Sequence, residues 1–228
     1  MAYGFDDFKT YLKIRFGRRD DIESVDDVNL YAITINKAYK EIVTKNRFWE
    51  LRHKFTFPEL DTVDTDQATT DGVNYVDTPS DALLVTDVYD STNDKWLDKF
   101  LSLREFTRMT NRSNTDSEGQ PSKWIRSGEY IYLHQTPDDA YDVEIFYRKI
   151  PADMTGTSAT AVSEIWDEPI LELAAHKLHR WLGEYEKAEK CKEAFIDIVE
   201  GIIGLESQEK EGARQFLRPS VVYKRNNY

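Results

Sequence analysis

The spacing of apolar residues along the chain predicts helices at both ends and strands in the middle. Near the N-terminus, four apolar residues recur at three- and four-residue steps: Phe5, Phe8, Leu12 and Phe16. This helical period predicts an amphipathic helix over residues 5–16. A second stripe predicts a longer helix over residues 25–46, and residues 24–27 resemble a capping box at its start.

Between residues 51 and 150 the apolar period shortens to two, which is typical of strands with one buried face. A short helix is predicted over residues 103–109. The predicted strands cover residues 53–57, 73–76, 82–89, 95–101, 124–126, 130–133 and 141–148. The polar stretches 58–72 and 110–121 hold few apolar residues and are predicted to be surface loops.

The last third of the chain returns to the helical period. Pro169 suits the first turn of a helix that Gly183 ends, and a final helix is predicted over residues 185–208. This order predicts an α+β fold, in which N- and C-terminal helices form a bundle with an inserted antiparallel β lobe. The predicted parts are the bundle over 1–50 and 168–212, the β lobe over 51–150, a linker over 151–167, and an extended C-terminal tail over 213–228.

Charge is unevenly distributed along the chain. The 228 residues carry a formal net charge of −12, yet residues 213–228 contain four cations and no acid, which leaves −16 on the other residues. An anionic body repels nucleic acid, so we expect no sequence-specific DNA binding. No apolar run approaches ~18 residues, and the first residues lack a secretory signal pattern, so we expect neither a membrane span nor a signal peptide.

Candidate catalytic chemistry is sparse. The phosphate-cradling glycine motifs and the G-x-S-x-G nucleophile elbow are absent, so neither an enzyme activity nor a cofactor is expected. The single cysteine, Cys191, falls on an apolar helical stripe and is predicted to be buried. A metal site on one helical face is the minor alternative for Glu172, His176 and His179, which fit the edge of an amphipathic helix better. A solvated loop similarly outweighs calcium binding for Asp61, Asp64, Asp66 and Asp71.

Aromatic residues in the β lobe admit two interpretations. Trp124, Tyr130 and Tyr132 are predicted to be half-buried sheet residues, and contact with another protein is a lesser alternative. The alternative is a ligand- or carbohydrate-binding module that uses this lobe.

The C-terminal tail combines positive charge with apolar anchors. Pro219 and the β-branched residues after it favour an extended chain. Such a segment either packs on its own domain or docks on another chain, and its composition favours docking by strand addition or groove insertion. The predicted docking residues are Arg214, Phe216, Leu217, Arg218, Pro219, Val221, Val222, Tyr223, Lys224 and Arg225.

Taken in order, these segments resemble the head-to-tail adaptor (connector) proteins of tailed bacteriophages. The resemblance covers most of residues 5–208. It rests on residues 27–39 and 47–49, on 119–124, 130–133, 136–138 and 141–147 in the middle, and on 169–175 near the end.

The resemblance implies a structural virion protein at the neck, present in the host cytoplasm during assembly. Such adaptors form a ring, usually of twelve subunits, through which genomic DNA passes. Their C-terminal tails reach into the portal protein, and their β lobes meet tail, nozzle or fibre proteins. A heterologous contact between identical subunits is compatible with such a ring.

Overall fold

The computed structural model describes residues 3–17, 19, 22, 29–45, 55, 57–112 and 118–216, with side chains omitted for residue 45 and for residues 111–112 and 206–216. The chain divides into two compact units, Met1–Thr56 with Asp153–Tyr228, and Phe57–Ala152. We call them the helical unit and the β unit. The elements in chain order are α1 (Phe5–Arg15), α2 (Leu30–Lys45), β1 (Asp61–Ala68), β2 (Tyr75–Asp77), β3 (Ala82–Asp90), β4 (Lys95–Trp96), β5 (Asp98–Lys99), α3 (Leu103–Arg112), β6 (Lys123–Ser127), β7 (Tyr130–His134), β8 (Asp142–Lys149), α4 (Asp167–Trp181) and α5 (Tyr185–Phe216). The predicted α+β class is confirmed.

The helical unit packs α1, α2 and α5 around α4. The predicted apolar stripe of α1 is buried, with Phe8 and Leu12 fully shielded from solvent. Helix α2 begins at Leu30, where the side chain of Asn29 accepts a hydrogen bond from the Ala32 amide. The capping box predicted at residues 24–27 lies outside the described residues.

The segment between the β unit and α4 is held against the helices by side-chain hydrogen bonds. Asn36 of α2 exchanges two hydrogen bonds with the backbone of Met154. Tyr39 accepts a hydrogen bond from the Ala161 amide at 2.9 Å. Each of these bonds satisfies a polar group that would otherwise lose its water on burial, so the segment is fixed to α2.

The β unit consists of two four-stranded sheets with strand orders β1-β8-β3-β4 and β2-β7-β6-β5. Every pairing is antiparallel except the short parallel pair β5–β6. Buried residues of both sheets form one apolar cluster, in which Trp124 and Ile131 are almost fully buried. A shared core between two sheets defines a small β-sandwich.

The structure corrects the prediction of a surface loop over residues 58–72. Residues Asp61–Ala68 form strand β1 at a sheet edge, paired antiparallel with β8 and interrupted by one register shift. An edge strand buries little, and charged residues at an edge protect its open hydrogen-bonding groups from other chains. A polar sequence is therefore compatible with a strand here. In the second predicted loop, α3 continues to Arg112 and residues 113–117 are not described.

The strand predicted over residues 95–101 is divided between the sheets. Strand β4 pairs with β3, whereas β5 pairs with β6, and Leu97 between them is buried in the shared core. A strand was also predicted over residues 53–57. Its described members, Phe55 and Phe57, are buried but lie in no strand.

The last helix is longer than predicted. Helix α5 ends at Phe216 rather than near residue 208, so residues 213–216 are helical instead of extended. Residues 205–211 are mostly good helix formers, and the first strong helix breaker after them is Pro219, which also disfavours helix at the residue before it. The predicted docking residues after Phe216 lie outside the described residues. Within the described part of the chain, no helix is long and apolar enough to cross a membrane.

Candidate interaction surfaces

Helix α5 is longer than α4, the helix against which it packs. Helices α4 and α5 form an antiparallel hairpin that turns at Gly183, whose φ of 76° is a left-handed conformation that favours glycine. Helix α4 has 15 residues and α5 has 32, so their lengths are about 23 Å and about 48 Å. Among the described side chains of α5, the last buried one is Ile202, beside the start of α4. The 14 residues of α5 after Ile202 form the overhang, about 21 Å long.

Two of the predicted docking residues, Arg214 and Phe216, lie on the overhang. The other eight follow it along the chain and are outside the described residues. The first two predicted docking residues are therefore helical, and the structure does not test the predicted docking role.

The three residues of the minor metal-site alternative are held by other partners. Glu172 accepts two hydrogen bonds from the Arg15 guanidinium, at 2.6 and 3.1 Å, which raises the pKa of Arg15. His176 Nδ1 donates to the Ala188 carbonyl at 2.8 Å, and His179 Nδ1 donates to Glu184 at 2.7 Å. These contacts connect α4 to α1, to α5 and to the α4–α5 turn.

The other polar candidates are also engaged in structural contacts. Cys191 is buried, as predicted, and burial raises the pKa of its thiol, which disfavours the reactive thiolate. Asp61 binds Arg148 across the β1–β8 pair, and Asp64 accepts hydrogen bonds from the Asp66 amide and Gln67. No cluster of three or more His, Cys, Asp or Glu side chains that could hold a metal occurs in the described part of the chain.

The aromatic residues of the β unit divide into buried and exposed groups. Trp124 is 1% exposed and its indole N–H donates to the Leu97 carbonyl, so it cannot stack on a sugar as the carbohydrate alternative requires. Tyr75 and Tyr130 are 41% and 38% exposed, with ring centroids 4.7 Å apart, and Tyr132 packs beside them. We call these three the tyrosine patch. Its exposed rings are available to a macromolecular partner.

A groove of about 830 Å³ runs between α2, α4 and α5. Its apolar lining includes Ile33 and Phe195, and Trp181 at one edge is 55% exposed. Among the described residues that line it, Glu41 is the only acid and is bound to Lys177. The cations that line it are Lys37, Lys177, Arg180 and Lys192. We call it the cationic groove, because it concentrates positive charge on a chain whose net charge is −12.

A second depression, of about 1040 Å³, lies between α1, the start of α4 and the middle of α5. Its edge carries the exposed carboxylates Glu164 and Glu168 on either side of Ile165, which is 41% exposed. We call these three residues the acidic rim. The buried Asp167 beside them accepts hydrogen bonds from the Tyr3 amide and Thr160, and burial raises its pKa.

Neither surface was predicted from the sequence. The cationic groove gathers residues of α2, α4 and α5 that are far apart along the chain, and only Lys177 and Arg180, three residues apart on α4, form a local cationic pattern. The acidic rim lies within residues 164–168, but the exposure of Ile165 cannot be read from the sequence.

The family comparison agrees with the resemblance found in the sequence. The profile of the SU10 adaptor protein family matches residues 5–220, which spans both units and the overhang. A search of curated proteins found no match. The match covers nearly the whole chain. The chain belongs to the SU10 adaptor protein family, a family of bacteriophage head-tail adaptors.

Proposed function

We propose that this protein forms a ring, of twelve subunits, between the portal and the tail of the virion, and that its C-terminal tail docks on the portal. The observation that carries the proposal is the overhang of α5. It begins where the last described buried side chain of α5 ends, and it leads into the segment that combines four cations with apolar anchors. The 14 residues of the overhang give it a length of about 21 Å along the helix axis.

Charge supports this division of roles. With −16 outside residues 213–228, the body offers few cations to replace the counterions of DNA, so a genome could pass through a ring of such bodies without adhering. The cationic tail is the adhesive element and suits a partner groove that is acidic and partly apolar.

The tyrosine patch supports a second contact in the same assembly. Exposed tyrosines are frequent anchors of protein interfaces, and the burial of Trp124 removes the main residue of the carbohydrate alternative. We assign the patch to a tail, nozzle or fibre protein. The protein acts as a structural component of the neck, assembled from subunits made in the host cytoplasm, and not as an enzyme.

Deletion of residues 217–228 tests the docking role. The full chain should bind purified portal protein in a pull-down, and the deletion should reduce the bound fraction roughly tenfold while its far-ultraviolet circular dichroism keeps the helical signal. A full-length variant with Arg218, Lys224 and Arg225 changed to Gln should lose most of the binding at low salt, because these charges act by electrostatic attraction. Undiminished capture by the deletion variant refutes docking through this segment.

A further inference from the structure

The cationic groove and Glu168 of the acidic rim lie on opposite faces of α4, and Glu164 and Ile165 of the rim lie in the turn just before this helix. Nine residues separate Glu168 from Lys177, and nine separate Leu171, which lines the depression beside the rim, from Arg180. At 3.6 residues per turn, nine residues are two and a half turns, so each pair points in opposite directions from α4. The helical unit thus carries a cationic surface on one side and an anionic one on the other.

The two surfaces are complementary in charge and in polarity. The described residues of the groove surround an apolar lining with four cations and one acid, whereas the rim flanks the exposed Ile165 with Glu164 and Glu168. We propose that the acidic rim of one copy of this chain inserts into the cationic groove of the next copy, with Ile165 against the apolar lining and the carboxylates beside Lys177 and Arg180. The proposal rests on the ring proposed above and identifies its subunit contact.

A second copy fits the groove better than an unrelated acidic partner does. Copies with a net charge of −12 repel one another, so their association requires a place where opposite charges meet. Each copy presents both halves of this contact, on opposite faces. A contact between unlike surfaces of identical subunits is heterologous, and it continues from copy to copy until the rotation closes a ring.

The contact also constrains the orientation of α4 in the ring. The offset of nine positions from Glu168 to Lys177 corresponds to about 13 Å along the helix axis. All copies in a closed ring lie at the same height, so α4 must be inclined to the ring axis for the rim of one copy to meet the groove of the next. An upright α4 with the same contact would give a helical filament instead.

Charge reversal in both surfaces tests the proposal on the full chain in the presence of portal protein. Arg180→Glu and Glu168→Lys should each lower the yield of assembled rings roughly tenfold, counted by electron microscopy and mass photometry. The combined variant should restore the yield, because the carboxylate introduced at position 180 of one copy would meet the ammonium introduced at position 168 of its neighbour. Misfolding cannot explain such a rescue, since the two positions lie on separate surfaces of the same copy. The matched controls Lys190→Glu and Glu193→Lys change exposed charges of α5 outside both surfaces and should leave the yield unchanged.

Crosslinking gives an independent readout. In a Cys191→Ala background, Ile165→Cys with Trp181→Cys should yield a ladder of covalent oligomers with a short bismaleimide, and Ile165→Cys with Lys190→Cys should not. Portal-bound protein without a ladder, or single charge reversals without effect, overturns the subunit contact while leaving the portal-docking role standing. A ladder from protein that fails to bind portal supports the contact and refutes the docking role. Loss of both readouts refutes both proposals.

Discussion

The Arg15–Glu172 pair is expected to be a main stabiliser of the helical unit. It joins α1 to α4 across 157 residues of sequence, with N–O distances of 2.6 and 3.1 Å in a two-pronged geometry. The two side chains retain 31% and 14% of their exposure. The perturbation is Arg15→Met, which keeps the aliphatic stem and removes both donors.

The expected cost lies between the values for exposed and buried pairs. Exposed ion pairs contribute about 0.2–1 kcal/mol, whereas breaking a buried pair costs about 3–5 kcal/mol because one charge is left unsolvated. Since Arg15 is about a third exposed, we expect Arg15→Met to lower the free energy of unfolding by about 2 kcal/mol. Adding Glu172→Gln should cost little more, giving a coupling energy of about 1 kcal/mol in a double-mutant cycle.

Urea unfolding followed at 222 nm measures these free energies, because the helical unit dominates that signal. The matched control is Lys9→Met, which removes the more exposed Lys9–Asp6 pair on the same helix and should cost under about 0.5 kcal/mol. If Arg15→Met were no more destabilising than Lys9→Met, the Arg15–Glu172 pair would contribute no more than an exposed ion pair. Its partial burial would then not strengthen it, contrary to the expectation.

Two further predictions concern the β unit. Trp124→Ala should lower the unit's free energy of unfolding in urea by about 3–5 kcal/mol, because it leaves a cavity in the core. The control Trp96→Ala changes a side chain that is 57% exposed and should cost under about 1.5 kcal/mol. Similar costs for the two variants would contradict the assigned core. Burial and the nearby Lys123 lower the pKa of His134, so below its ordinary value of 6.5 the unfolded chain binds the proton more readily than the folded one. Stability of the β unit should therefore fall as pH drops below about 6.5, and His134→Gln should flatten that fall; an unchanged pH profile would show that His134 is not responsible.

Local patterns predicted the elements whose partners are close along the chain. The apolar stripe of α1 and the burial of Cys191 follow from helical periodicity, and both are confirmed. The extra length of α5 could also be predicted from the sequence. Residues 205–211 favour a helix, and the first strong helix breaker after them is Pro219.

Long-range pairing accounts for the errors. Strand β1 looks like a loop because its identity depends on β8, roughly 80 residues later, and not on its own polarity. The cationic groove gathers Lys37 of α2 with Lys192 of α5, and no short sequence window contains both. The burial of Trp124 likewise depends on a core built from two sheets, which alternation within one strand does not reveal.

The overhang makes the helical unit directional. One end of the α4–α5 hairpin is the turn at Gly183, and at the other end the longer α5 continues past the start of α4, so the two ends of a protomer differ. In any assembly that repeats this protomer about a single rotation axis, all copies point the same way along that axis. The two faces of such an assembly are therefore chemically different. The top and bottom of such a particle would be specified within the single polypeptide, before any neighbour attaches.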